Sequence, residues 1–286
     1  MSRYIISLTS IPPRFPELHD QLACLVNQSV PAEKVILYLS RSYQRFPDWD
    51  GTLPEVPEGV EIRLVDEDWG PATKVLPAVR DFHGQDLDIL FCDDDQFYPP
   101  HLAAEFLKAR KRHPDTPIAA SPSKDWSLTP VTDPNNKRPK PRVRRLWRAT
   151  NLALRLQRRW RRSVERRTGK VLSSPPHRRV LRAGFADGFE GYMGVLVRPE
   201  FFPDEVFDIP DFAWPVDDVW LSGHLVRMGR YPWVIGGLFQ PRMMAEMTVD
   251  HASDTALFRS QFEGKRRSES NLTTVRYFQE TYGVWL

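Results

Sequence analysis

The sequence predicts an α/β fold: a mostly parallel sheet flanked by helices, carrying one basic helical insertion. Three observations predict it. Short continuous apolar runs at residues 4–8, 35–39 and 89–92 have the length and composition of strands buried on both faces. Between them lie segments whose apolar residues recur at helical spacing, so strands and helices alternate along the chain. Between Lys137 and Arg182 stand eighteen Lys or Arg residues against one acid, Glu165, which leaves 22 basic and 36 acidic residues elsewhere. The net charge of +3 therefore averages a mildly acidic body with a strongly basic insertion.

The elements follow in order. After the first apolar run, Leu18, Leu22, Leu25 and Val26 define a helix. The second run follows, and Val60, Ile62 and Leu64 then alternate as a half-buried strand does. Val75, Leu76, Val79 and Phe82 return to helical spacing before the third run. Pro99 and Pro100 suit the first turn of a helix whose apolar face is Leu102, Phe106 and Leu107, and which stops near His113 before Pro114. Residues 118–120 read as a further short strand.

The insertion begins after Pro130, with Pro134, Pro139 and Pro141 marking a loop. From about Val143 its composition turns helical. Leu146, Ala149, Ala153, Leu156, Trp160 and Val164 lie near one face, and Arg145, Arg148, Arg155, Arg158, Arg159, Arg162 and Arg166 crowd the flanks. Regular structure resumes near Gly184, residues 195–197 form a strand, and a helix runs from Asp217 to Gly229. The mixed tail from Asp250 onward receives no assignment. The chain reads as a single domain over residues 1–286, with residues 137–182 as a basic amphipathic insertion within it.

The bulk features exclude several classes. No apolar run approaches the roughly 20 residues of a membrane-spanning helix. The stretch after Met1 is interrupted by Pro12 and Pro13 too soon for a secretory signal. Cys24 and Cys92 lie inside apolar segments and read as buried free thiols of a reducing compartment, which places the protein in the cytoplasm. There is no zinc-type Cys/His spacing, no phosphate-binding Gly-x-x-x-x-Gly-Lys loop and no internal repeat.

The third apolar run ends on Asp93, Asp94 and Asp95. In extended backbone, residues two apart share a face, so Asp93 and Asp95 point the same way at the strand's C-terminal end. Open α/β sheets bind ligands in the crevice outside those ends. A carboxylate pair there suits a hard cation, Mn²⁺ or Mg²⁺, that completes its shell with water and substrate phosphates and neutralises a diphosphate leaving group. An isolated acidic triplet is more often a polar strand end, and its position in the alternating series is what favours the site.

Several segments match a known family in order. Residues 7–14 (Ser-Leu-Thr-Ser-Ile-Pro-Pro-Arg) resemble a nucleotide-binding first strand and loop, and residues 70–74 (Gly-Pro-Ala-Thr-Lys) resemble a segment that precedes the acidic motif. Asp93-Asp94-Asp95 resembles an Asp-x-Asp motif, and Asp217-Asp218-Val219-Trp220-Leu221 a later acidic pair followed by a helix. Together they resemble the GT-A-type, Rossmann-like glycosyltransferases, in particular the inverting, family-2-like group. The match covers residues 4–125 and 184–240, while the insertion departs from the pattern.

The resemblance implies a nucleoside-diphosphate sugar donor held by Thr9, Ser10, Arg14, Lys74, Asp93 and Asp94, with Asp93 and Asp95 on Mn²⁺ or Mg²⁺. His251 is a further metal ligand by the same analogy. It also implies Asp218, beside Asp217, as the base that deprotonates an acceptor hydroxyl. Each has a structural alternative: Asp217 as a helix cap, Lys74 and Arg14 as solvated cations, Thr9 and Ser10 as turn caps, His251 as an ordinary surface or core residue. The glycine-rich residues 187–194 allow close backbone approach, with Asp187, Glu190 and Gly191 toward the acceptor or simply in a tight loop before a strand. Trp214 and Trp220 read as sugar-stacking or core residues.

The expected acceptor is a glycan or glycolipid in cell-surface assembly. The basic insertion suits an anionic membrane surface at the inner face of the membrane, because Leu146, Leu156 and Trp160 give it an apolar side. Nucleic acid is the disfavoured alternative, and a solvated arm that orders on a partner is the third. Two rival functions stand beside the transferase. A sugar nucleotidyltransferase would carry glycines in the loop after the first strand, which residues 10–14 lack. A non-catalytic binder would use only the basic arm, on membrane or nucleic acid.

Overall fold

The computed structural model describes residues 3–124, 126–128, 137–146, 152–169, 177–243, 261–262 and 265–286. Its strands are β1 (Tyr4–Thr9), β2 (Val35–Ser40), β3 (Val60–Val65), β4 (Asp88–Phe91), β5 (Gln96–Phe97), β6 (Ile118–Ala119), β7 (Arg144–Arg145), β8 (Val180–Arg182), β9 (Gly184–Phe185), β10 (Val195–Val197), β11 (Trp233–Val234), β12 (Arg242–Met243), β13 (Gln261–Phe262) and β14 (Lys265–Arg266). Its α-helices are α1 (Leu18–Val26), α2 (Leu76–Asp81), α3 (Leu102–Arg110), α4 (Leu152–Thr168), α5 (Asp217–Arg227) and α6 (Arg267–Tyr282).

Eight strands form the central sheet, in the order β3-β2-β1-β4-β10-β6-β11-β9. The predicted parallel half is present: β3, β2, β1 and β4 run in one direction, with Ile6 opposite both Val35 and Leu90. The second half is mixed. β10 runs antiparallel between β4 and β6, and β9 pairs antiparallel with β11.

Successive residues of the buried strands face opposite layers. Ile5, Ile36, Tyr38, Ile89, Phe91, Val195 and Val197 pack with α2, α5 and α6. Ile6, Leu8, Leu37, Leu39, Leu90 and Leu196 pack with α1 and α3. β1, β2 and β4 are buried on both sides because each is covered by helices above and below. A fully buried Leu or Phe of this kind stabilises the fold by about 1.5–3 kcal/mol.

The chain leaves β1 toward β2 on one side, and returns from β3 to place β4 on the other. β1 and β4 are thus the neighbours at which the strand order reverses, and their C-terminal ends open a crevice there. At the opposite end of β4, Arg110 of α3 closes the sheet. Its Nε donates to Asp88 at 2.8 Å and one terminal nitrogen reaches the carbonyls of His113, Pro114 and Thr116.

Three expectations change. The insertion's helix starts at Leu152 rather than near Val143. Arg144 and Arg145 instead pair antiparallel with residues 180–182, and the Leu146 N–H donates to the Arg179 carbonyl. Residues 147–151 of the predicted helix lie outside the described ones. Cys24 is only partly buried, accepting the Tyr98 N–H at 3.3 Å, whereas Cys92 is fully buried and both thiols are free. The unassigned tail contains α6, which packs on α5 through Val275 and Phe278. Among the described residues no helix is long and apolar enough to cross a membrane.

Candidate active site

A cleft of about 370 Å³ opens at the C-terminal ends of β1 and β4. Its walls come from the loop after β1 (Thr9, Ser10, Arg14), the turn before α2 (Gly70, Pro71, Lys74), the acidic triplet, Glu190 and Tyr192, and the start of α5 (Asp217, Asp218). The sequence motifs predicted to cooperate therefore do meet.

Lys74 is the centre of the arrangement. It sits in a 3₁₀ turn, Gly70–Lys74, and is buried rather than solvated. That turn requires glycine at its start: Gly70 has φ of +57°, and a Cβ there would meet the Trp214 ring at 2.6 Å. The Lys74 ammonium lies 2.6 Å from Asp93 Oδ1 and 2.9 Å from Asp217 Oδ2, so it joins the triplet to the acidic pair. Burial opposes its charge, but Asp217, Asp93 and Asp218 together outweigh burial and hold it protonated well above the ordinary lysine range.

The three triplet carboxylates have different surroundings. The strand ends at Phe91, so the triplet occupies the turn beyond it, with Asp94 buried and Asp93 and Asp95 partly open on the cleft side. Asp94 accepts from Ser10 Oγ and from Arg14, which binds the β1 loop to the triplet. Arg14 also lies 3.6 Å from Asp95, and Gln96 donates to Asp95 at 2.9 Å. Burial, and then the like charges of Asp93 and Asp94, push the Asp95 carboxyl up to about 6. Tyr98 fixes the turn: its hydroxyl accepts the Asp93 N–H at 2.9 Å and donates to the Tyr192 carbonyl at 2.9 Å.

Across the cleft, Asp217 is buried against Lys74, with Arg267 at 3.9 Å. Asp218 is half-buried and accepts the Gly191 N–H at 3.0 Å. Burial, and then the Asp217 charge, push the Asp218 carboxyl up to about 8, against the pull of Lys74 and Arg267. Gly191 has to be glycine for this contact, because a Cβ there would lie 2.8 Å from Asp218 Oδ1 and 3.1 Å from Lys74 Nζ.

The remaining candidates separate. Thr9 lines the cleft and donates to the Tyr38 carbonyl at 2.7 Å. Glu190 lines it too, taking Ser121 Oγ at 2.9 Å, Arg179 at 3.0 Å and Arg145 at 3.3 Å. Asp187 departs from the expectation: it is buried in ion pairs with Arg138 at 3.1 Å and Arg142, and is not among the cleft-lining residues. Trp220 belongs to the core, whereas Trp214 lines the cleft and donates to the Asp68 carbonyl at 2.9 Å. His251 lies outside the described residues.

The cleft also holds residues the motifs did not single out: Asp68, Arg45, Gln240 and Arg267. Asp68 stands two positions before Gly70, close enough to a recognised segment to be found. Arg267 had no sequence signal, since it opens a helix in the unassigned tail.

The lining counts seven carboxylates (Asp68, Asp93, Asp94, Asp95, Glu190, Asp217, Asp218) and four cations (Arg14, Arg45, Lys74, Arg267). Among the described residues no three Asp, Glu, His or Cys side chains converge on one metal position. The acidic surplus, with the Asp95 carboxyl pushed up to about 6 by burial and then by the like charges of Asp93 and Asp94, nonetheless fits an ion of the Mg²⁺ type, which takes one or two carboxylates and completes its shell with water and phosphate.

No protein-family profile and no curated protein matches the chain. Among solved structures, the S. aureus TarS fragment 1–349 in complex with UDP aligns over 83% of this chain and 59% of its own, at 10% identity and a TM-score of 0.38. A second structure of the S. aureus TarS fragment 1–349 aligns over 98% of this chain and 72% of its own, at 9% identity and a TM-score of 0.41. S. aureus TarS aligns over 83% and 36%, at 10% identity and 0.39. The chain thus spans 59% of the length of the first of these. A likeness this distant leaves the functional reading to rest on the cleft itself.

Proposed function

We propose that this chain is a glycosyltransferase that moves a sugar from a nucleoside-diphosphate donor to a hydroxyl acceptor with Mn²⁺ or Mg²⁺. One observation carries the reading: two acidic motifs far apart in the sequence meet in one cleft, with Lys74 between them. Asp93 and Asp95 are the residues that would hold the cation, which when bound supplies charge for the departing diphosphate. Lys74 adds a fixed positive charge beside the same phosphates. Asp218, with its carboxyl raised to about 8, has a basicity matched to removing a proton from an acceptor hydroxyl near neutral pH. A single base facing the donor across the cleft supports direct, inverting displacement. Gly191 donates its N–H to that carboxylate, and Glu190, which lines the same cleft, is the residue assigned to the acceptor in this reading. A glycan or glycolipid is the proposed acceptor class, in cell-surface assembly.

A thermal-shift series with nucleoside diphosphates, with and without Mn²⁺, tests the reading. Saturation about a hundredfold above Kd adds about 2.7 kcal/mol to the folded state, or roughly 5 °C or more in Tm. One nucleotide should give that shift only with the metal, and Asp95→Asn should abolish it. The absence of any metal-dependent shift across the common nucleoside diphosphates would overturn the proposal.

A further inference from the structure

Helix α4 carries an unusual exposed surface. Leu152, Leu156 and Trp160 are 65%, 60% and 67% exposed and stand four residues apart, so they stack along one face. Arg155, Arg159, Arg162 and Arg166 are also exposed and fall together on one flank of that face at 3.6 residues per turn. A water-facing helix of a soluble surface would place polar residues where Leu156 and Trp160 stand. Leu154 is buried, so the helix presents its opposite side to the protein and keeps the tryptophan face outward.

We propose that α4 docks flat on an anionic lipid bilayer. The arginine flank meets headgroup phosphates, and Leu152, Leu156 and Trp160 enter the boundary between headgroups and acyl chains. Trp is the side chain best suited to that boundary, with an apolar ring and one N–H left for water or phosphate. Nucleic acid would reward the arginines alone and would leave three large apolar side chains in water.

Strands β7 and β8, near the two ends of the insertion, bring it to the cleft. Arg145 of β7 and Arg179, just before β8, both bind Glu190, and Arg179 also donates to the Tyr192 hydroxyl at 2.9 Å. The same insertion thus carries the proposed bilayer face and two residues of the cleft wall proposed for the acceptor, which makes a lipid-borne acceptor the inferred class. This last step rests on the transferase reading; the docking does not, because vesicle binding is measured without turnover.

The experiment uses the full chain with vesicles of phosphatidylglycerol and phosphatidylcholine, with pure phosphatidylcholine vesicles, and with a DNA duplex as competitor. The protein should float with the anionic vesicles and not with the neutral ones. Brominated acyl chains should quench part of its tryptophan fluorescence, and Trp160→Phe should remove that quenching while retaining most of the binding. Arg159→Gln with Arg162→Gln should weaken partitioning roughly thirtyfold, since each arginine near the headgroups contributes about a factor of five. Circular dichroism of each variant checks that the fold persists. Equal flotation with neutral vesicles, quenching that survives Trp160→Phe, or duplex DNA that binds while vesicles do not would each overturn the proposal.

Discussion

The two ends of β4 handle buried carboxylate in opposite ways. At its N-terminal end Asp88 is 1% exposed and faces two arginines, Arg110 at 2.8 Å and Arg198 at 3.4 Å. At its C-terminal end three consecutive carboxylates share Arg14 and Lys74, and Lys74 is also claimed by Asp217. Both Asp88 and Asp95 have raised pKa values, with burial as the first cause. The charged neighbours of Asp88 then lower its pKa, whereas Asp93 and Asp94 raise that of Asp95 further. Acidity at a strand end therefore marks a site only where the surrounding cations fall short. The balanced end closes the sheet, and the unbalanced end keeps uncompensated carboxylate, which is the feature the proposed cation site rests on.

The largest expected effect breaks the balanced end. Arg110→Met leaves Asp88 buried with only the more distant Arg198, and removing one partner of a buried pair costs about 3–5 kcal/mol. Urea denaturation should show that loss. The protein that remains folded should bind nucleoside diphosphate as the parent does, because the cleft lies at the other end of the strand. A loss below about 1 kcal/mol would remove the distinction drawn between the two ends.

Second in size is the loss of the proposed base, Asp218, across the cleft from the unbalanced end. Asp218→Asn should lower kcat at least a hundredfold, about 2.7 kcal/mol, with nucleotide affinity little changed. The pH profile gives the sign. A base works ionised, so kcat/KM of the parent should climb as pH rises toward about 8 and level off above it, and the variant should lack that limb. A profile that is flat from pH 6 to 9 in the parent would assign the proton transfer elsewhere.

Much of this contrast is readable from sequence, though unevenly. β1, β2 and β4 announce themselves because both faces of each are covered, which makes their apolar runs continuous. β10 is equally apolar, but nothing in Val195-Leu196-Val197 encodes its direction, and its antiparallel insertion between β4 and β6 depends on tertiary pairing. β9 and β11 have two residues each, too few for any periodicity to register. α6 stays hidden because Ser270 and Thr274 are buried beside Val275 and Phe278, so polar letters interrupt its apolar face.

The candidate site is legible in the sequence as motifs and illegible as charge balance. Asp93, Asp95, Lys74 and Asp218 were all identifiable in the chain. That Lys74 joins the two acidic motifs, that Arg14 is engaged by Asp94, and that Asp187 belongs to Arg138 and Arg142 follow only from the fold. Residues of opposite charge drawn from distant segments leave no local pattern.

The smallest effect measures the surplus itself. The Asp95 carboxyl titrates near 6 in the folded protein and near 4 when unfolded, so between those values the folded state holds the extra proton. Stability then falls as pH rises from about 4 to 6, and ionised Asp95 remains a cost at neutral pH. A shift of about two units bounds that cost near 3 kcal/mol, and the 26% exposure of the side chain reduces it to the order of 2 kcal/mol. Asp95→Asn should remove this part of the slope, so the variant becomes the more stable protein above pH 6, as read by Tm across the range. Mn²⁺ should reverse the order by stabilising the ionised parent and leaving the variant unchanged. Matching slopes in parent and variant would mean that Arg14 already compensates the triplet, and the two ends of β4 would then differ only in exposure.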